Sequence, residues 1–403
     1  MKKIFITGAV SLLLLFVSCK PVIPETRSGD AYFESFTFLH SLNSSLDRDY
    51  EATWNAQRGA WVAGPAPATT DLSVLKPIFK TVSGSKVFHN GVEVYSGISY
   101  FDFTQPVQFT IIAENGTSKL WTVAFDKLEP LPASITVMTY NVEDMYRGNI
   151  NRHDAMAQII KNASVEIAVL CEIQANGTNP GSTQDDVSLL KTVLANIGWA
   201  MPYSCFADSS DGAGNDDIVI ISKYPIIAYE EILPPGTWPR KGIKAVIEVS
   251  DGSITKNYTV IGLHLKAFDD ADSVQKRLDQ SQALANYLRT TYSANTLTTG
   301  YFIVAGDMNT YATGDRSPTA TCTLGYLQLL DDADTTNNFI AVNETLLSST
   351  ATHQLGSVLD HIIVSPALYS KYRSGSITVK TTDPNYTMTD VSDHYPVLLE
   401  LDL

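Results

Sequence analysis

From residue 30 to about 128 apolar and polar positions alternate with a period of two. In "VQFTIIAENGTSKLWTVAF", Val107, Phe109 and Ile111 alternate with Gln108 and Thr110. A turn at Asn115-Gly116 follows, then Trp121, Val123 and Phe125. "KVFHNGVEVYSG" sets Asn90-Gly91 between two alternating runs, the signal of a type I′ hairpin. This pattern predicts a small all-β sandwich over residues 30–128, and no cluster of ionisable residues in it suggests chemistry.

After Pro130 and Pro132, in a hinge over residues 129–133, the pattern changes. Ile135, Val137 and Met138 open an apolar strand that runs into "TYNVED". Met156, Ile159 and Ile160 then fall on one helical face, and "EIAVLCE" reads as a buried strand. "DDVSLLKTVLANIG" carries Val187, Leu190, Val193, Leu194 and Ile197 at helical spacing. "DIVIISKYPI" and "NYTVIGLHLKA" read as strands. In "DSVQKRLDQSQALANYLRTTY", Val274, Leu278, Ala285 and Leu288 share a face, with acids early and Arg289 late, as the helix dipole prefers. "GYFIVAGDMN", "SVLDHIIVSP" and "DHYPVLLELDL" complete the series. Strands mixed with helices over residues 134–403 predict a layered α/β domain.

Strand after strand in this region ends in, or opens from, a metal-binding or acid–base residue. "VMTYN" ends at Asn141 and "AVLCE" at Glu172, "VIGLHL" carries His264, and "FIVAGDMN" ends at Asp307 and Asn309. "LDHIIV" opens with Asp360, and the last strand opens with Asp393-His394. Carboxylates, amides and imidazoles at one rim of a sheet suit a hard divalent cation such as Mg²⁺, with imidazoles and a free Asp left for proton transfer.

The fragments "TYNV", "CEIQ", "GLHLKA", "GDMN", "LDHIIVS" and "SDHYPV", in this order, resemble the endonuclease/exonuclease/phosphatase superfamily over residues 134–403. The resemblance implies a four-layered α/β sandwich, two packed mixed sheets flanked by helices, with the site at one end. It also implies Mg²⁺- or Mn²⁺-dependent hydrolysis of a phosphate ester. On that basis Glu172 is the principal metal ligand, and Asn141 and Asp393 complete or support the metal site. Asp307 and Asn309 position the attacking water or the phosphate. His394 lies against the scissile phosphate with Asp360 orienting its imidazole, and His264 is a general acid or a phosphate-oxygen donor. The formal base is either Asp307 or His394. A histidine in "GLHLKA" is similar to the deoxyribonuclease- and sphingomyelinase-like branches that use two histidines.

The N-terminus adds a compartment. Met1-Lys2-Lys3, the apolar "IFITGAVSLLLLFV" and then Ser18-Cys19 form a signal segment over residues 1–19, too short to span a bilayer. Phe16-Val17-Ser18-Cys19 resembles a bacterial lipobox, which implies cleavage before Cys19 and a lipid on its sulfur. Residues 20–29 are then a linker. The expected protein is a monomeric outer-membrane lipoprotein of the cell envelope, facing the periplasm or the exterior and touching the membrane only through that anchor. Its β module resembles the immunoglobulin-like modules that precede catalytic domains in bacterial lipoproteins. Of the remaining cysteines, Cys171 reads as a buried thiol, and a Cys205–Cys322 disulfide is left open.

The formal charge of −15 argues against a tight structural binder of nucleic acid and fits a cation-concentrating carboxylate cluster. Arg240, Lys241 and Lys244 form the one basic group, in loops otherwise rich in Gly, Asn and Asp. The substrate expected is a phosphate ester, either nucleic acid or a small phosphoester, cleaved as a diester by in-line attack of water. The alternatives are a phosphomonoesterase of lipid or sugar phosphates on the same scaffold, or an inactive adhesion lipoprotein.

Overall fold

The computed structural model describes residues 29–143, 145, 151–175, 185–208, 217–232, 240–311, 313–317, 322–347 and 350–403. The signal segment with Cys19, the loop after Ala175, most of the Cys205–Asp217 connection and the "PPGTWP" stretch lie outside these residues. The chain divides into two compact units between Lys127 and Leu128.

The first unit is all β: β1 (Phe33–Phe38), β2 (Tyr50–Glu51), β3 (Thr53–Asn55), β4 (Ala60–Ala66), β5 (Ile78–Thr81), β6 (Lys86–His89), β7 (Val92–Val94), β8 (Val107–Ile112) and β9 (Ser118–Lys127). They form one sheet ordered β2-β1-β5 and another ordered β3-β4-β9-β8-β6-β7. In β8 the alternation does what it predicts, burying Val107, Phe109 and Ile111. Phe33, Phe36, Phe38, Phe103 and Phe125 complete an aromatic core with edge-on ring contacts, such as Phe38 to Phe103 at 4.8 Å. Between β6 and β7, Asn90 and Gly91 have φ of 50° and 79°, the left-handed pair a type I′ turn requires.

The second unit runs β10 (Ser134–Asn141), α1 (Asn151–Asn162), β11 (Ile167–Ile173), α2 (Asp186–Asn196), β12 (Tyr203–Ala207), β13 (Asp217–Ser222), β14 (Ile226–Ile232), β15 (Gly242–Ser250) and β16 (Thr255–His264). It continues α3 (Ala271–Thr291), α4 (Ala294–Thr299), β17 (Tyr301–Asp307), α5 (Thr323–Leu329), β18 (Ile340–Ala341), β19 (Asp360–Val364), β20 (Thr378–Val379) and β21 (Val397–Asp402). Among the described residues there are two mixed sheets, ordered β12-β13-β11-β10-β21-β20 and β14-β15-β16-β17-β19-β18.

The period of two explains the layering. Ile135, Val137, Ile167 and Val169 of the first sheet meet Val260, Ile303, Ala305 and Ile362 of the second in a central core. The alternate residues of the same strands, Met138, Tyr140, Ala168 and Leu170, pack against Met156, Ile159 and Ile160 of α1 and Leu190 and Leu194 of α2. On the far side Ile261, Val304 and Ile363 pack against Leu284 and Leu288 of α3, Leu297 of α4 and Leu324 and Leu327 of α5. Strands covered on both faces read as continuous apolar runs, which is why "AVLC" and "FIVA" show little alternation. The expected α/β sandwich is the fold that forms.

The face of α3 differs from the expectation. Ala285 and Leu288 are buried, but Val274 and Leu278 are only half-buried. The buried face of the first half is Ser273, Arg277, Gln280 and Ser281. This part of the helix covers polar loops rather than a sheet. Arg277, fully buried, donates to the Lys266 carbonyl at 2.9 Å, to the Phe268 carbonyl, and to Asp315 at 3.3 Å. Gln280 accepts from the Lys266 backbone N–H at 2.8 Å. Replacing Arg277 with Met would leave a mostly buried carboxylate without this cation. We expect Arg277→Met to cost about 3–5 kcal/mol of stability, read by urea unfolding.

Cys171, Cys205 and Cys322 are all buried free thiols. Cys205 packs in the central core, while Cys322 caps α5, its Sγ bonded to Ser317 O at 2.8 Å. The disulfide left open by the sequence is not formed. No helix among the described residues is long and apolar enough to cross a membrane.

Candidate active site

Strand direction brings the polar ends together. β10 and β11 run parallel, as do β16 and β17, so the carboxyl ends of these pairs carry Asn141, Glu172, His264 and Asp307. β19 is antiparallel to β17 and β21 to β10, so each begins where its partner ends. Asp360 is therefore paired with Asp307, which is itself paired with His264. Asn141 Nδ2 joins the two sheets, donating to Glu172 Oε1 at 2.8 Å and Asp307 Oδ2 at 3.0 Å.

Two backbone features build this rim. β11 bulges at Glu172, where the register with β13 shifts between Cys171 and Ile173 and Glu172 takes φ of 58°. A bulge re-aims a side chain, and a non-glycine residue at positive φ is strain of the kind stored at functional sites. Gly306, beside Asp307, has φ of 148°, and a Cβ there would lie 1.8 Å from the Leu263 carbonyl oxygen. Only glycine lets β16 and β17 close up at this level. Asn309 then ties the strand exits together, donating from Nδ2 to Leu265 O at 3.0 Å while its backbone N–H donates to Asp307 Oδ1 at 2.9 Å.

His394 is held from several sides. Ser392 Oγ donates to Asn141 O at 2.7 Å and accepts from the His394 N–H at 3.1 Å, and the Asp393 N–H donates to Glu143 Oε2 at 3.1 Å. Its ring Nδ1 bonds Asp360 Oδ2 at 2.8 Å, and Asp360 is fully buried. Burial alone would lower the His394 pKa. The carboxylate of Asp360, followed by those of Asp307 and Asp393, overcomes this and raises it well above the usual histidine range. His394 Nε2 lies 3.8 Å from Asp307 Oδ2.

His264 is the opposite case. It is buried, and its Nε2 lies 3.0 Å from Arg240 Nη1 and 3.6 Å from both Glu172 Oε1 and Asp307 Oδ2. Burial, then the positive charges of Arg240 and His394, push its pKa well below the usual value. Its Nδ1 has no hydrogen-bond partner among the described residues, so no carboxylate backs it.

All eight residues singled out in the sequence sit at this one end, where three overlapping groups of ligand atoms form among the described residues, one of them Asp307, Asp360 and His394. Glu172, Asp307 and His264 offer ligand atoms within 4.8 Å of one another, the oxygen-rich set a hard divalent cation takes. Asn141 presents an amide donor to this set, because its Oδ1 accepts the Glu143 N–H at 3.0 Å. Asp393 instead groups with His394 and with His353, a residue the sequence reading missed. His353 lies in a loop with no strand pattern around it. Its only sequence signal is a Gly-flanked "THQLG" seven residues before Asp360.

Residues 138–394 match the Endonuclease/Exonuclease/phosphatase family. No curated protein matches the chain at a significant level. Among solved structures, an endonuclease/exonuclease/phosphatase from Beutenbergia cavernae has a TM-score of 0.51 at 16% identity, over 68% of this chain and 72% of its own. That likeness is one of fold. An AP endonuclease from Archaeoglobus fulgidus matches with a TM-score of 0.47 at 17% identity, over 67% of this chain and all (100%) of its own. A 3′ phosphatase from Neisseria bound to product DNA hairpin has a TM-score of 0.46 at 17% identity, over 67% and 100% of the two chains.

Proposed function

The chain belongs to the endonuclease/exonuclease/phosphatase family, and from that premise we propose that it is a divalent-metal-dependent phosphodiesterase of the two-histidine kind, acting on nucleic acid or a small phosphodiester. One observation carries the reading. Asn141 clamps two carboxylates from different sheets, Glu172 and Asp307, in front of His264, and His394 faces Asp307 with a buried Asp360 behind it.

The donor set fits Mg²⁺ or Mn²⁺: Glu172, with Asp307 and His264 in reach of the same ion, would hold it, while Asp393 stands in the neighbouring group. Bound there, the ion would neutralise phosphate charge and make water more acidic. The protein's own groups supply the rest. Asp307, fixed by the Asn309 N–H and Asn141 Nδ2, accepts the proton of the attacking water. His394, kept cationic by Asp360, faces the phosphate and stabilises charge on its oxygens, with a proton to give the leaving oxygen. His264, whose pKa burial lowers, presents at Nε2 a lone pair that accepts from Arg240 rather than a stored proton.

The basic group bears on the substrate. Lys241 pairs with Glu231 at 2.9 Å, Lys244 with Glu230 at 2.5 Å, and Arg240 is turned onto His264 and the Leu265 carbonyl. The two lysines have local acidic partners, Arg240 is engaged by a ring nitrogen and a carbonyl, and the chain carries −15 overall. Little positive field is left for gripping a long duplex, so short nucleic acid or a small phosphodiester is preferred, with a phosphomonoester next. We also propose that the first unit is an immunoglobulin-like spacer or adhesion module. In this reading the protein is a monomeric outer-membrane lipoprotein anchored on Cys19.

The test is hydrolysis of a bis-aryl phosphodiester by the purified protein with Mg²⁺ or Mn²⁺, alongside plasmid DNA, RNA, sphingomyelin and sugar phosphates. We expect diester cleavage that EDTA abolishes and added metal restores. Absence of metal-dependent release from every diester and monoester would overturn the reading.

A further inference from the structure

His353 stands beside His394 without belonging to any of the motifs. Its ring meets that of His394 edge-on, with centroids 4.8 Å apart and planes at 79°. The loop carrying it closes on itself, His353 N–H donating to Ser357 O at 3.1 Å and Gly356 N–H to His353 O at 2.9 Å. The loop is also stitched to the histidine segment. Gln354 N–H donates to Asp393 O at 2.8 Å, and Tyr395 N–H to Thr352 O at 2.7 Å. The position of this ring is therefore set by backbone bonds.

Its protonation site follows from one contact. The Leu355 backbone N–H donates to His353 Nδ1 at 3.1 Å, so Nδ1 must present a lone pair. The ring proton is then on Nε2, and Nε2 lies 3.4 Å from Asp393 Oδ2. The other oxygen of Asp393 lies 3.8 Å from His394 Nε2. Asp393 is thus a carboxylate between two imidazoles. A nitrogen that carries a proton cannot also ligate, so Nε2 of His353 acts here as a donor although its place would suit a metal ligand. Contacts of this length often tighten when substrate binds.

We propose that His353 is a positioning residue of the hydrolytic site: its Nε2–H holds the Asp393 carboxylate against His394 and so sets the orientation of both. The proposal rests on the hydrolase reading for its kinetic consequence, while the tautomer stands apart from it. Outer partners that orient functional groups of this kind are worth about 10- to 100-fold in activity.

The test uses the full chain in three variants, with kcat and KM measured on the bis-aryl phosphodiester and folding checked by Tm. His353→Ala should lower kcat by about 10- to 100-fold with a far smaller change in KM. His353→Phe keeps an aromatic edge against His394 but has no donor, and should be as slow. His353→Gln, whose amide donates at similar reach, should recover most of the loss. Wild-type turnover in either the Ala or the Phe variant would overturn the proposal, as would a Gln variant no faster than Phe. Nitrogen-15 NMR of imidazole-labelled protein gives a readout free of turnover. One histidine, absent from the His353→Gln spectrum, should be protonated on Nε2 alone, and a proton on its Nδ1 would overturn the assignment. A wild-type protein without hydrolytic activity would fail the family-based reading while leaving the tautomer result to stand or fall by itself.

Discussion

His394→Asn should lower turnover of a bis-aryl phosphodiester by about 10²- to 10⁴-fold, with KM changed much less. The imidazole faces Asp307 at 3.8 Å, and Asp360 at 2.8 Å fixes which ring nitrogen points there. In that position it acts on charge that develops in the transition state more than on the bound ester, so the loss falls on kcat. Asp360→Asn should approach the same loss, because it removes the carboxylate that raises the His394 pKa and orients its ring. The double variant should be little worse than either single one, since the two residues act as a unit. Retention of more than a tenth of wild-type turnover by His394→Asn would remove it from the chemistry.

Glu172→Gln should weaken Mn²⁺ binding and reduce turnover by about 10³-fold, the several kcal/mol that a metal's charge contributes to phosphoryl transfer. Calorimetric titration with Mn²⁺ measures the first and single-turnover kinetics the second. The substitution keeps the shape at a position whose backbone is strained at φ of 58° and whose Oε1 accepts the Asn141 amide at 2.8 Å. A folded Glu172→Gln protein that binds Mn²⁺ as tightly as wild type would move the metal site elsewhere.

The layered fold was legible because its strands are covered on both sides. Runs such as "IAVLC" and "YFIVAG" are apolar throughout, and α1 and α2 declare their inner faces by spacing alone. The first half of α3 was not legible. Val274 and Leu278 look like a core stripe, yet the face turned inward is Ser273, Arg277 and Gln280. Arg277 is held there by two carbonyls and Asp315, which only the folded loops bring within reach. Periodicity reports hydrophobic burial and is blind to buried polar faces.

The site divides along the same line. Asn141, Glu172, His264, Asp307, Asn309, Asp360, Asp393 and His394 could be read as strand-end residues, because an apolar run that stops at a polar side chain is a local signal. Their roles relative to one another are not local. The sequence by itself determined which strands exist and which ionisable groups stand at their ends. Tertiary structure decided the rest: that parallel pairs in two sheets point these ends the same way, that Asn141 joins Glu172 to Asp307, that burial lowers the His264 pKa while Asp360 raises that of His394, and that His353 stands behind Asp393. The physical reason is range. Strand formation depends on neighbours a few residues apart, whereas hydrogen-bond direction and the balance of burial against charge depend on groups as many as 251 residues away along the chain, as Ser392 is from Asn141.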